Sequence, residues 1–67
     1  MITLTVNGAA YAFEQSVNLI QLLAHLQLIG KRLAVERNGE IVPRSQFDVM
    51  HLTDGDKLEI VVAVGGG

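Results

Sequence analysis

The stretch ITLTVNGAAYAFEQSVNLIQLLAHL, Ile2 to Leu26, decides the fold, because its apolar period changes midway. Ile2, Leu4 and Val6 alternate with Thr3 and Thr5, the period-two pattern of a strand with one buried face. Asn7-Gly8 follows, and Tyr11 and Phe13 then alternate with Ala10 and Ala12, so an Asn-Gly turn joins two antiparallel strands. From Asn18 onward Leu19, Leu22, Leu23 and Leu26 recur at i, i+3, i+4 and i+7, one face of a helix of about ten residues. Asn18 with Gln21 has the form of a capping box, and Gly30-Lys31 offers a C-terminal stop.

Beyond the helix, Leu33 and Val35 alternate with charged or small neighbours. Asn38-Gly39 is a second turn, and Ile41-Val42 is a short apolar strand that Pro43 ends, since proline has no N–H to give to a ladder. Arg44 to Leu52 reads as irregular, with Phe47, Val49 and Leu52 expected as core anchors. Asp54-Gly55-Asp56 is a tight turn, after which Leu58, Ile60, Val62 and Val64 alternate with Lys57, Glu59, Val61 and Ala63. This last strand becomes apolar on both faces, which suits a central place in a sheet or a surface covered by a partner. A hairpin, one helix and returning strands are most simply arranged as a mixed sheet with the helix across one face. A right-handed crossover sets the last strand parallel to the first in the middle of that sheet. The expected class is therefore α+β, in the ubiquitin-like β-grasp arrangement.

Sixty-seven residues with 49% hydrophobic content make one small domain, expected over residues 1–64. With no cysteine there is no disulfide, thiolate site or cysteine nucleophile. The net charge of −2 is spread along the chain without a basic cluster, which argues against nucleic acid as a partner. No apolar run approaches the ~20 residues that a membrane-spanning helix needs, and the expected setting is cytoplasmic. His25 lies off the leucine stripe and His51 in the irregular segment, with no convergent ligands for a metal. Ser16 and Ser45 lack the strand-elbow setting of a nucleophile. The glycine-containing turns lack the spacing of a phosphate loop. No catalytic or metal-binding residue is expected.

What remains is the end of the chain, IVVAVGGG, Ile60 to Gly67. Glycine loses more conformational entropy on ordering than any other residue, so Gly65, Gly66 and Gly67 are not there to hold the fold together. Set directly after the last strand, residues 65–67 read as a flexible tail launched from the rigid part of the molecule. A terminal carboxylate becomes electrophilic once adenylated, with AMP as leaving group. Residues without Cβ can thread a narrow channel and let a nucleophile approach closely. Such an end suits a carrier substrate.

The ITLTVNG opening, the helix around NLIQLLAHL, the segment LAVERNGEIVPRSQF, the DGDKLEI turn and strand, and the terminal Gly-Gly together resemble the ThiS family of sulfur-carrier proteins of thiamin biosynthesis. The resemblance covers essentially the whole chain. It implies a β-grasp fold with no bound cofactor. It implies that a ThiF-type adenylyltransferase forms an acyl-adenylate at Gly67, which sulfur mobilised by a cysteine desulfurase converts to a thiocarboxylate for a ThiG-type thiazole synthase. Gly66 is then the second member of the required pair, while Gly65 is an additional glycine. Val61, Val62, Ala63 and Val64 are candidates for partner contact, against the alternative that they are simply core. A substrate that must visit two enzymes is expected as a monomer in transient heteromeric complexes. The rivals are a molybdopterin-synthase small subunit, which usually approaches its Gly-Gly through a proline, a ubiquitin-like protein modifier, and a binding module with an inert tail.

Overall fold

The structure is a computed structural model and describes residues 1–63. Val64 and the expected tail, residues 65–67, lie outside the described residues. The elements are β1 (Ile2–Val6), β2 (Ala9–Phe13), α1 (Leu19–His25), β3 (Leu33–Arg37), β4 (Glu40–Ile41), a single 3₁₀ turn (Arg44–Gln46) and β5 (Lys57–Val62). They form one five-stranded mixed sheet in the order β2-β1-β5-β3-β4. β5 runs parallel to β1 and antiparallel to β3, in the central position expected of it. The α+β, ubiquitin-like β-grasp reading holds.

Both Asn-Gly turns place two successive residues at positive φ, 49° and 84° at Asn7-Gly8 and 51° and 88° at Asn38-Gly39. That is the geometry whose twist matches flanking antiparallel strands, and asparagine and glycine are the residues that tolerate it. The first turn fixes a register without a bulge, from Val6 opposite Ala9 to Ile2 opposite Phe13. Leu19, Leu22 and Leu23 bury the inner face of α1 against Leu4, Val6, Val35, Leu58 and Ile60, while Val42, Phe47 and Leu52 close the core from the connecting segment. The capping box is formed: the Gln21 N–H donates to Asn18 Oδ1 and the Asn18 N–H donates to Gln21 Oε1, each at 2.8 Å.

Two local expectations are corrected. The helix spans seven residues rather than about ten, and it does not stop at Gly30. Gln27 adopts φ 60°, the Leu28 N–H reaches back to the Leu23 carbonyl (2.8 Å), and the Gln27 N–H reaches the Ala24 carbonyl (3.1 Å). This is a Schellman close, with Gln27 where glycine is usual and Leu28 turned back onto the core beside Leu23. The stop therefore comes three residues earlier than the glycine suggests.

Val49, expected in the core, is 60% exposed, and Met50 packs against the core in its place. The 3₁₀ turn and the bonds from the Val49 and Met50 N–H groups to the Gln46 carbonyl give this segment a helical sense. Phe47 and Met50, three apart, therefore face inward together, and Val49 falls on the outside. Among the described residues, no helix is long and apolar enough to cross a membrane.

Candidate functional site: the central strand and its flanking clamps

β5 leads toward the glycines, and side chains of the two Asn-Gly turns hold it from both sides. On the β1 side the Asn7 N–H donates to the Leu58 carbonyl (2.9 Å). The Asn7 amide then pairs with the main chain of Ile60, its Nδ2 donating to the Ile60 carbonyl (3.0 Å) and its Oδ1 accepting from the Ile60 N–H (2.8 Å). β1 has already turned away at this point, so the side chain extends the parallel ladder by one step. On the β3 side the Asn38 N–H donates to the Lys57 carbonyl (2.7 Å), and Asn38 Oδ1 accepts from the Lys57 N–H (2.9 Å).

A third tie lies at the start of β5. The Asp56 carboxylate is buried and accepts from Arg37 Nε (2.9 Å), Arg37 Nη2 (2.8 Å), Asn38 Nδ2 (3.0 Å) and the Thr53 N–H (2.8 Å). Burial pushes this carboxyl upward, but the Thr53 N–H, the Asn38 amide and the Arg37 guanidinium together outweigh it and hold the pKa below the ordinary carboxylate value. The network joins the β3–β4 hairpin to the Asp54-Gly55-Asp56 turn.

At the far end of β5 the three described candidates for partner contact separate by face. Ile60 is buried and Val62 packs against the core, whereas Val61 points to the opposite face, opposite Ala34, and is 66% exposed. The Ala63 N–H donates to the Arg32 carbonyl (2.9 Å), so main-chain pairing extends one residue beyond the strand, and Ala63 is exposed. Val61 shares the open face of the sheet with Ala34 and the small side chains Thr3, Thr5, Ala10 and Ala12. Val64, Gly65, Gly66 and Gly67 lie outside the described residues.

The remaining candidates are brought to no common site. His25 is exposed and stands edge-on to the rings of Tyr11 (6.2 Å) and Phe13 (5.1 Å). His51 is exposed and bridges to Asn18. The Ser16 hydroxyl donates to the Leu52 carbonyl (2.7 Å), and Ser45 is exposed. Among the described residues no group of three or more His, Asp or Glu is placed to hold a metal ion. The residues that sequence reasoning misses are Asn7, Asn38 and Asp56. Their spacing marks them only as turn formers, although an asparagine at positive φ carries a side-chain amide beside the neighbouring strand.

The profile of the ThiS family matches residues 4–67. The sulfur carrier protein ThiS of Bacillus subtilis (strain 168) is 42% identical over 65 residues, covering 96% of this chain and 98% of that protein. A thiazole synthase of Paramagnetospirillum magneticum is 45% identical over 64 residues, covering 96% of this chain but only 20% of that longer protein. A crystal structure of the thiamine biosynthesis protein ThiS from Geobacter metallireducens superposes with a TM-score of 0.82 at 36% identity, covering 98% of this chain and all of that one. Sequence and fold agree along nearly the full length: the chain belongs to the ThiS family.

Proposed function

We propose that this chain is a sulfur carrier of thiamin biosynthesis, with Gly67 as the residue that bears the sulfur. The observation that carries this reading is the near end-to-end similarity to a sulfur carrier protein of the same length class. The Gly67 carboxylate attacks the α-phosphate of ATP, pyrophosphate leaves, and the acyl-adenylate forms in a ThiF-type adenylyltransferase. A sulfur nucleophile supplied through a cysteine desulfurase then adds to the carbonyl and displaces AMP. The chain is the substrate in these steps, and the chemistry belongs to its partners.

The recipient of the sulfur is a ThiG-type thiazole synthase. What supports it is the similarity of this whole chain to one fifth of a protein that is itself a thiazole synthase, so that carrier-like and synthase sequences share one polypeptide there. The body of the protein supplies a firm base for the transfer. β5 is held by two asparagine clamps and by main-chain pairing as far as Ala63, so partners meet a fixed platform from which Val64 to Gly67 continue. Gly66 and Gly67 lack a Cβ that would obstruct a narrow channel, and the exposed Val61 and Ala63, with Val64 next in sequence, form the adjoining contact, while Val62 packs against the core.

Removing Gly66 and Gly67 tests this reading. The shortened protein should melt within about 2 °C of the full chain, since glycine has no side chain to bury and loses the most conformational entropy on ordering. It should fail to support thiazole formation in a reaction with activating enzyme, ATP, sulfur source and synthase. Full thiazole yield from the shortened chain would overturn the proposal.

A further inference from the structure

The two edges of the sheet are treated differently. The β4 edge is two residues long, carries Glu40 and is followed by Pro43, which are devices that discourage strand addition. The β2 edge is five residues, Ala-Ala-Tyr-Ala-Phe, with no charge, proline or bulge. Its phase is fixed by β1: Thr5 and Asn7 send their N–H groups toward β5, so Leu4 and Val6 bond toward Tyr11 and Ala9. The N–H and C=O groups of Ala10 and Ala12 therefore face away from the sheet. No turn, loop or side-chain bond among the described residues takes them up.

We propose that β2 pairs with β2 of a second copy of this chain, antiparallel, about a twofold axis at Tyr11, joining the two sheets into one. The edge is self-complementary about that point. Ala10 of one copy and Ala12 of the other exchange both main-chain bonds, and the twofold repeats this to give four. Tyr11 faces Tyr11 of the second copy in the intervening non-bonded pair. On the helix side Ala9 faces Phe13 of the second copy, a small residue opposite a large one. Ala9 also borders an open apolar hollow lined by Tyr11, Leu26, Leu28, Ile60 and Val62, where that ring can settle. The strand carries no charge, so no like charges meet across the axis. β5 lies two strands in from the contact and takes no part in it.

A contact of one short strand per copy sits at the small end of specific interfaces, and its dissociation constant should be on the order of 0.1–1 mM. The monomer thus prevails in dilute solution and the dimer in concentrated solution. In sedimentation from about 0.02 to about 2 mM, the wild-type weight-average mass should climb toward the dimer. Ala12→Pro and Ala10→Pro remove an outward N–H that the fold itself does not use, and both should remain monomeric while staying folded.

The register is read by cross-linking in a chain that has no cysteine of its own. Tyr11→Cys should give a disulfide-linked dimer on oxidation at about 1 mM, because facing residues of a non-bonded pair lie about 4.5 Å apart between Cα atoms. Ala10→Cys should not, because Ala10 faces Ala12 and its own counterpart is about 8 Å away, beyond disulfide reach. A wild-type protein that is monomeric throughout, proline variants that associate like wild type, or equal cross-linking at positions 10 and 11 would each overturn the proposal.

Discussion

Asn7 does two jobs that substitution can separate. Its backbone holds φ 49° in the first turn, and its amide forms both main-chain bonds to Ile60. Asn7→Gly keeps the turn, since glycine is unstrained there, and loses the two bonds at a net cost of about 1 kcal/mol each. Asn7→Ala loses the same bonds and adds about 1 kcal/mol for an alanine in the left-handed region. For a domain of this size ~1 kcal/mol corresponds to ~7 °C, so the melting temperature should fall by about 14 °C for glycine and about 20 °C for alanine. Asn7→Asp places a carboxylate oxygen where Nδ2 now meets the Ile60 carbonyl at 3.0 Å. Repulsion raises the folded pKa of that carboxyl above its unfolded value, so the variant should gain stability relative to wild type as the pH falls through that raised value. The assay is thermal unfolding by circular dichroism at pH 7 and pH 4, with amide exchange at Ile60 as the local readout. Equal melting of the glycine variant and wild type, or of the glycine and alanine variants, would refute the two-part role.

Two further predictions concern the ends of β5. Asp56→Ala strands Arg37, Asn38 and the Thr53 N–H together, at a cost of about 3 kcal/mol or ~20 °C. Because the folded pKa of Asp56 is depressed, its contribution is complete above the unfolded value near pH 4 and is lost as the pH falls through the folded value. The stability gap between wild type and Asp56→Asn should therefore narrow in an acid titration of unfolding, and a constant gap from pH 7 to pH 2 would contradict it. Val61→Lys changes an exposed residue on the open sheet face, so unfolding should move by less than about 1 kcal/mol. The KM for this protein in an ATP–pyrophosphate exchange assay with its activating enzyme should rise at least tenfold, and an unchanged KM would remove Val61 from the contact.

The fold is legible in the sequence because its period changes are clean. Two Asn-Gly turns, one leucine stripe and an apolar last strand leave few arrangements, and the central parallel place of β5 follows from crossover handedness. Gln27 is not legible, because nothing in its type marks it for positive φ. Its conformation is imposed by Leu28, which must turn back to the core. Val49 is misplaced because its segment reads as irregular in sequence, whereas its backbone is helical in sense and sets Met50, not Val49, beside Phe47. The clamps show a different limit: turn chemistry is visible at Asn7 and Asn38, but the strand their amides reach lies some fifty and nineteen residues away. The carrier role proposed for the glycine end starts from residue chemistry, since glycines that weaken a fold ask for another reason to be there, and the choice of Gly67 rests on the family resemblance.

The central claim is that sulfur travels on the Gly67 carboxyl. Its most direct test is the intact mass of the protein from its native host, with the C-terminal peptide resolved after treatment with a thiol-alkylating reagent. Exchange of oxygen for sulfur adds about 16 Da, the same as oxidation of Met1 or Met50, and alkylation tells the two apart. Since the chain has no cysteine, the predicted result is one alkyl adduct on the peptide ending in Gly67. A C-terminal peptide that stays unalkylated, even after incubation with activating enzyme, ATP and a sulfur source, would contradict the account.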